Sequence, residues 1–348
     1  MNKLRVGING FGRIGRTFFR LAFDKAPHLE LVAINDLGPA ETLAHLLKYD
    51  SIHGPWDKQI AVNENSIVVN ENSVLVYNKT KIEEIPWDEC QVDLVIECTG
   101  KFKTHKELSA HLKGVVQKVI LSAPSTDDRI KTVVLGVNED ELNASDFIIS
   151  NASCTTNNAA PMIKIIDQLC NINQLYITTV HSFTSDQSLH DQIHHDLRRA
   201  RAATQSIIPT TTGAAKALTK IFPHLAQSMG GCGIRVPVSN GSLTDITFVV
   251  DQKIEVQAIN NAFKHAAEHQ KFDIIKYTED PIVSSDVNNS LFSCTFDSMM
   301  TSVIGNMIKI IGWYDNETGY SSRLIDLIGH CYIWAYLTYY TARNYTRL

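Results

Sequence analysis

Three features of this sequence could do chemistry: a cysteine at the start of a helix, a glycine-rich turn after a strand, and compact groups of hydroxyl and cationic donors. Cys154 lies in Ser150-Asn151-Ala152-Ser153-Cys154-Thr155-Thr156-Asn157, between an apolar strand and an amphipathic helix. Helix N-termini present backbone N–H groups and a positive dipole end that stabilise a thiolate, the nucleophilic form of cysteine. Ser153, Thr155 and Thr156 add hydroxyls suited to an anion at the same place. The alternative is a buried structural cysteine under a hydroxyl-rich cap, the commoner fate of a single cysteine. His181 ends the run Leu175–Val180, and could pair with the thiolate and shuttle a proton if its strand packs beside the helix. The chain has 13 histidines, so any one of them is by default a surface or satisfied core residue. His190, His194 and His195 lack a cysteine or carboxylate framework at ligand spacing, and no metal site is expected.

The glycine turn is Gly10-Phe11-Gly12-Arg13-Ile14-Gly15, after the apolar strand Leu4–Ile8 and before a helix. Glycines there permit a tight turn, close backbone approach to a pyrophosphate, and close helix–sheet packing. Asp36, 21 residues past the last glycine, ends the next strand, where a carboxylate accepts from a ribose 2′-OH and repels a 2′-phosphate. These features point to a dinucleotide, NAD rather than NADP. Thr184, Thr210–Gly213 and Arg235 are compact donors suited to phosphate. The basic run Asp196–Arg201 is brief, contains an acid and lacks interleaved aromatics, so an ion-paired face or interface is the favoured reading over nucleic acid.

These groups need elements to position them. Strands are expected at Leu4–Asn9, Leu29–Asn35, Asp93–Thr99, Lys118–Ser122, Thr132–Leu135 and Phe147–Ser150, with helices at Arg13–Lys25 and Ala40–Lys48. That rhythm predicts an α/β, doubly wound parallel sheet, with an antiparallel hairpin inserted over Ile60–Asn78. After residue 150 the pattern becomes mixed α+β: a helix over Asn157–Cys170 with Pro161 near its first turn, strands Gln174–Val180, Ser242–Val250 and Ile308–Tyr314, and helices Val256–His269 and Tyr320–Ile328. The 348 residues suggest two domains, and 44% hydrophobic with 20% charged residues is an ordinary globular composition. A net charge of −5 provides no general attraction for nucleic acid or acidic membranes. The 7 cysteines are odd in number and widely spaced, which argues against a disulfide framework. With neither a signal-like apolar region near the start nor an uncharged run able to span a bilayer, a cytoplasmic protein is expected.

The sequence resembles the phosphorylating glyceraldehyde-3-phosphate dehydrogenase family over residues 3 to about 328. The matching motifs are Val6–Arg16, Ser150–Asn157, Asp196–Ala203, Thr212-Gly213-Ala214-Ala215-Lys216-Ala217 and Trp313-Tyr314-Asp315-Asn316-Glu317. The resemblance implies a Rossmann-type NAD-binding domain over 1–150, a catalytic and tetramer-forming domain over 151–316, and a helix, 317–328, returning to the NAD domain. It implies Cys154 as nucleophile and His181 as its base. NAD would be held by Gly10, Gly12, Arg13, Ile14, Asp36, Ser122, Asn316 and Tyr320. Ser153, Thr155, Thr212 and Gly213 would bind inorganic phosphate, and Thr184 and Arg235 the phosphate of glyceraldehyde 3-phosphate. A homotetramer is implied, with the Asp196–Arg201 stretch at its centre; no nucleic acid or membrane partner is. Erythrose-4-phosphate dehydrogenases share the first two motifs, and a non-enzymatic binding role is a further alternative. The sequence departs from the family pattern at Asn158 (often a second cysteine), Thr318 (usually Trp) and Ile193 (usually Pro). The aromatic segment 329–348 runs beyond the resemblance and has no functional reading.

Overall fold

The computed structural model describes the backbone of residues 3–345 and side chains from residue 3 as far as Tyr332, so most side chains of the 329–348 segment lie outside what is described. The chain divides into two compact units. One comprises Met1–Val133, Asp140–Ala152 and Ser321–Leu348, and the other Val134–Glu139 with Ser153–Tyr320.

The first unit carries a nine-stranded sheet of β1 (Leu4–Asn9), β2 (Leu29–Asn35), β3 (Ile60–Asn63), β4 (Ser66–Val69), β5 (Asn72–Tyr77), β6 (Leu94–Glu97), β7 (Lys118–Leu121), β8 (Lys131–Thr132) and β9 (Ile148–Ser150). Its order is β3-β4-β5-β2-β1-β6-β7-β9-β8. β1 pairs in parallel with both β2 and β6, which is the doubly wound arrangement. Helices α1 (Arg13–Lys25) and α2 (Ala40–Lys48) follow β1 and β2, and a single-turn helix α3 (His105–Leu108) lies further on. α1 buries Phe18, Phe19 and Ala22 on one stripe, as its spacing predicts. The Ile60–Asn78 segment forms three strands rather than a two-stranded hairpin. Its third strand, β5, turns to pair in parallel with β2 and so joins the main sheet. The strand expected at Thr132–Leu135 covers only Lys131–Thr132, since Val134–Glu139 belongs with the second unit.

Under the glycine turn lies a closed polar network. The fully buried Glu97 carboxylate accepts from Asn9 Nδ2 (2.6 Å), Thr99 N (2.8 Å), Thr99 Oγ1 (2.5 Å) and His111 Nε2 (3.1 Å). Trp87 Nε1 donates to His111 Nδ1, which leaves the imidazole proton on Nε2. A buried carboxylate with this many donors is satisfied without a cation. It also fixes Thr99, whose backbone sits 2.7 Å from where a Cβ on Gly10 would fall. Gly10 has φ +92°, so a side chain there is excluded twice over.

The second unit carries a mixed sheet of β10 (Ile172–Ser182), β11 (Ile208–Thr210), β12 (Met229–Val236), β13 (Ser242–Val250), β14 (Ile275–Thr278), β15 (Cys294–Asp297), β16 (Ser302–Ile304) and β17 (Met307–Tyr314). β10 lies parallel to β12 and antiparallel to β13, whose alternating burial marks a strand with one face in the core. α4 (Cys154–Leu169), α5 (Gly213–Ile221) and α6 (Val256–Glu268) also belong to this unit. α4 begins three residues before the expected Asn157, so Pro161 falls two turns inside the helix and not near its start. The final helix α7 runs over Thr318–Tyr345, past the expected end at Ile328, and buries Leu324, Leu327 and Ile328.

Candidate active site

The turn entering α4 sets the position of Cys154. Ala152 adopts a left-handed conformation (φ +54°) while fully buried, a backbone state uncommon for alanine. Ser153 follows as N-cap, its Oγ accepting from Thr156 N at 3.1 Å. Cys154 thus occupies the first helical position, partly exposed. The Thr155 hydroxyl turns inward to Tyr314 OH (2.9 Å), which also meets Thr179 Oγ1 (3.0 Å), tying the start of α4 to β17 and β10. Asn158, where the family often has cysteine, sends Nδ2 to the carbonyls of Ser293 and Trp313, both at 3.3 Å. It anchors α4 to the sheet, buried away from the nucleophile.

His181 and Arg235 are brought together by strand register, since they are direct partners on the parallel strands β10 and β12. His181 Nε2 lies 3.5 Å from Cys154 Sγ. Its Nδ1 lies 2.7 Å from the Ser182 carbonyl and 2.7 Å from Arg235 Nη1. Burial, followed by the charges of Arg235 and Arg199, pushes the imidazole pKa down to about 3. Burial also pushes the Cys154 thiol up, against the opposing pull of Arg235 and of N–H groups at the helix start. Burial by itself thus favours the uncharged form of each group, and the helix start and Arg235 act against it at the sulfur. Desolvation is the part that spacing does not show, because it is set by what the rest of the fold places around the pair.

A second cation was not singled out from sequence. Arg199, within the basic run, donates to Asp186 Oδ2 (2.6 Å), Thr210 Oγ1 (2.9 Å) and the Thr211 carbonyl (3.0 Å). It stands beside the start of α5, where Thr212 is the N-cap and its Oγ1 accepts from Ala214 N. The space a side chain would fill at Gly213 is open. The signal was available: an arginine followed by the β strand that carries Thr210. Thr184 lies just past the end of β10, half-buried.

Asn316 is oriented by two hydroxyls. Its Oδ1 accepts from Ser182 Oγ (2.8 Å) and Ser242 Oγ (3.1 Å), which assigns the amide nitrogen to the opposite side as a donor. The next turn is held by Asp315, whose carboxylate accepts from the backbone N–H groups of Glu317 and Thr318, both at 2.8 Å. Thr318 and Tyr320 are buried, whereas Ile193 is fully exposed.

In the first unit, the residues present fit a dinucleotide. Gly12 caps α1 without a side chain, the first turn carries no acid, and a Cβ at Gly12 would meet nothing within 4 Å. A Cβ on Gly15 would meet the Gly10 carbonyl at 2.3 Å, so helix and turn touch as closely as the pattern requires. Asp36 accepts from Phe11 N (2.7 Å) and Gly38 N (3.1 Å), holding the carboxylate at the end of β2 against the glycine turn. The Arg13 guanidinium is clamped by Asp50 at 2.6 and 3.1 Å, so its contribution to an anion is the backbone N–H at the helix start. Ser122 follows β7, its N–H donating to the Glu97 carbonyl.

Known proteins are similar to this chain over most of its length. Residues 4–105 match the family described as glyceraldehyde 3-phosphate dehydrogenase, NAD binding domain, and residues 153–316 match its C-terminal domain. The chain is 49% identical to glyceraldehyde-3-phosphate dehydrogenase 2 of Streptomyces avermitilis over 326 residues, 93% of this chain and 97% of that protein. It is 48% identical to glyceraldehyde-3-phosphate dehydrogenase of Geobacillus stearothermophilus over 329 residues, 94% and 98% of the two chains. With glyceraldehyde-3-phosphate dehydrogenase 1 of Bacillus cereus it shares 47% identity over 328 residues, 94% and 98%. A cysteine at a capped helix start, a histidine in reach of its sulfur and a glycine turn shaped for NAD thus stand in a chain that belongs to the glyceraldehyde-3-phosphate dehydrogenase family.

Proposed function

We propose that this protein is a glycolytic enzyme that oxidises and phosphorylates glyceraldehyde 3-phosphate to 1,3-bisphosphoglycerate with NAD. The observation that carries this reading is the 3.5 Å approach of Cys154 Sγ to His181 Nε2 with Arg235 alongside. Cys154 Sγ attacks the aldehyde carbon while its proton passes by way of His181 to the former aldehyde oxygen, giving a thiohemiacetal on the cysteine. Its oxygen is stabilised by His181 and the Cys154 N–H at the start of α4. Bound NAD supplies the acceptor for the hydride leaving the former aldehyde carbon. As that hydride leaves, His181 takes the proton of the adduct hydroxyl, and a thioester to Cys154 remains. Inorganic phosphate then attacks the thioester carbon, the C–S bond breaks to release the acyl phosphate, and the proton on His181 returns to the cysteine sulfur.

Thr184 and Arg235 hold the substrate's own phosphate. Ser153, Thr155, Thr212 and Gly213 receive the inorganic one, with Arg199 adding charge beside α5. Gly10, Gly12, the backbone of Arg13 and Ile14, Asp36 and Ser122 hold the dinucleotide, and Asn316 donates its amide to the nicotinamide carboxamide near Tyr320. NADH formation from glyceraldehyde 3-phosphate requires inorganic phosphate for continued turnover; turnover undiminished without it would reject the phosphorylating reading. Erythrose 4-phosphate is the weaker substrate in the same assay, since the compared relatives all carry the glyceraldehyde-3-phosphate dehydrogenase name.

The same reading makes the protein a cytoplasmic homotetramer. Thiol chemistry suits a reducing compartment, and all seven cysteines are free. Among the described residues no helix is long and apolar enough to cross a membrane. Between β10 and β11, Leu189, Ile193, Leu197 and Ile207 are exposed apolar side chains, which supports burial against other copies. Light scattering is expected to give four times the 38.8 kDa chain mass, and Ile193→Asp with Leu197→Asp to lower it. A tetramer that survives both substitutions places the interface elsewhere.

A further inference from the structure

The buried network under the glycine turn extends beyond the groups around Glu97 and runs across the C-terminal ends of β5, β2, β1 and β6, which are neighbours in the sheet. Just past β5, the Lys79 N–H donates to Asn35 Oδ1 (2.8 Å), while Asn35 Nδ2 donates to the Lys79 carbonyl (3.0 Å) and to Asn9 Oδ1 (2.8 Å). Asn9 Nδ2 in turn donates to Glu97 Oε2 (2.6 Å). From the other side Trp87 Nε1 donates to His111 Nδ1 (3.1 Å) and His111 Nε2 to Glu97 Oε2 (3.1 Å), while the Thr99 N–H and hydroxyl both reach Oε1. Asn9, Asn35, Glu97, His111 and Trp87 are all buried.

The ends of this belt are groups that cannot be turned round: the main chain of Lys79, the indole N–H of Trp87 and the main-chain N–H of Thr99. They fix the direction of every side chain between them. All the donors therefore converge on Glu97, which has to accept on both of its oxygens. A carboxylate does so, whereas the NH2 of an amide would face a donor whichever way it was turned. The belt also grips the turn itself. The Gly10 N–H donates to the Asn35 carbonyl (2.8 Å), the Cys98 N–H donates to the Asn9 carbonyl (2.7 Å), and the Thr99 backbone lies 2.7 Å from a Cβ position on Gly10. β1 stands between β2 and β6, the reversal of strand order beyond which open α/β sheets hold their ligands.

We propose that Glu97 is a positioning residue for NAD: as the acceptor on which this belt of hydrogen bonds closes, it holds Thr99 against Gly10 and keeps the glycine turn in the shape that receives a pyrophosphate. The proposal rests on the reading of the glycine turn and Asp36 as the place where the dinucleotide is held. Glu97 lies buried below that turn and acts through Thr99 and Gly10. In Glu97→Gln the amide loses least by facing its NH2 to Thr99, where the hydroxyl can rotate to accept but the main-chain N–H cannot. Asn9 Nδ2 and His111 Nε2, on the other oxygen, are both donors. The clash thus falls on the Thr99 backbone, the part of the belt in contact with Gly10, and cofactor binding has to reverse the displacement it causes.

The test is calorimetric titration of the full-length protein with NAD in the absence of substrate, together with backbone hydrogen exchange of the NAD-free protein and steady-state kinetics. Glu97→Gln is expected to raise the Kd and the KM for NAD about tenfold, the loss that one buried donor facing another causes. The kcat at saturating NAD and the KM for glyceraldehyde 3-phosphate are expected to stay within about twofold of wild type, because Cys154 and His181 belong to the other unit. Exchange around Gly10 and Thr99 is expected to quicken in the NAD-free variant and to slow again when NAD is added. A Kd close to that of wild type overturns the proposal, as do unaltered exchange in these segments and a fall in kcat with an unchanged KM for NAD. Ile149→Ala opens a cavity on β9, outside the belt, and is expected to lower the melting temperature without moving the Kd. If it weakens NAD as much as Glu97→Gln does, general softening of the unit explains both and the positioning role is rejected. Should Glu97→Gln not fold, Asn35→Ala opens the belt at its far end and is expected to raise the Kd about threefold; an unchanged Kd overturns the proposal. Asp36→Ala tests the underlying reading separately. An unchanged Kd in that variant rejects the site and the belt together, whereas a raised Kd there beside a wild-type Kd in Glu97→Gln keeps the site and rejects the belt.

Discussion

Replacing Cys154 by serine is expected to abolish NADH formation, by at least about 10⁴-fold in kcat, as loss of a nucleophile does in other covalent enzymes. The serine hydroxyl is of nearly the same size, so the Ser153 cap, the left-handed turn at Ala152 and the entry to α4 remain. What disappears is the sulfur. A serine adduct passes on to an oxygen ester rather than a thioester, and the helix start cannot lower a hydroxyl pKa far enough to make it a nucleophile at neutral pH. NAD binding, measured by quenching of protein fluorescence, is expected to stay within a few-fold of wild type because the glycine turn lies in the other unit. Phosphate-dependent NADH production retained by folded Cys154→Ser would overturn the assignment of the nucleophile.

His181→Asn is the second large effect, about 10²- to 10⁴-fold in kcat. Asparagine preserves a polar group between the Ser182 carbonyl and Cys154 but cannot accept and return a proton. Its consequence is larger here than at an exposed thiol, because burial pushes the Cys154 thiol pKa up and makes a nearby base more important. The loss is expected in the first turnover, seen as a slower initial burst of NADH, with little change in the KM for NAD. A burst as fast as in wild type would show that another group takes the proton. The imidazole, with its pKa pushed down to about 3, stays neutral across the usual assay range, so no fall in wild-type rate toward pH 5 is attributable to its protonation. Relative to unfolding the sign is fixed: the unfolded chain binds the histidine proton first, so this group removes stability as pH falls from its ordinary value of 6.5 toward 3.

The parts of the site that were legible in sequence are those made by contiguous residues. The glycine turn, Asp36 and Cys154 each depend on a strand, a turn and a helix start within one short stretch, and β1, α1, β2 and α2 have the bounds that periodicity predicts. The pairing of His181 with Arg235 was not legible. It depends on the register of two parallel strands separated by a long connection, and nothing local fixes that register. Arg199 escaped for a related reason, since its partners Asp186, Thr210 and Thr211 come from both flanks of the loop that carries it. The desolvation that acts on the cysteine and histidine was not legible either, because it depends on burial by residues far apart in the chain. Local chemistry was readable, while its electrostatic setting belongs to the fold.

The division of the chain also orders its history on the ribosome. The glycine-turn unit is interrupted at Val133 and Ala152 and is completed only by Ser321–Leu348, whereas Cys154, His181, Arg199 and Arg235 all lie within Ser153–Tyr320. Domains generally fold as units during synthesis, N-terminal portions first. Here the first portion to emerge must wait for the last, because Leu324, Leu327 and Ile328 of α7 enter its core after every catalytic side chain has been translated. A nascent chain ending at Tyr320 carries the reactive thiol with its full set of neighbours and an unfinished place for NAD, so the nucleophile matures before the partner that limits what it can do.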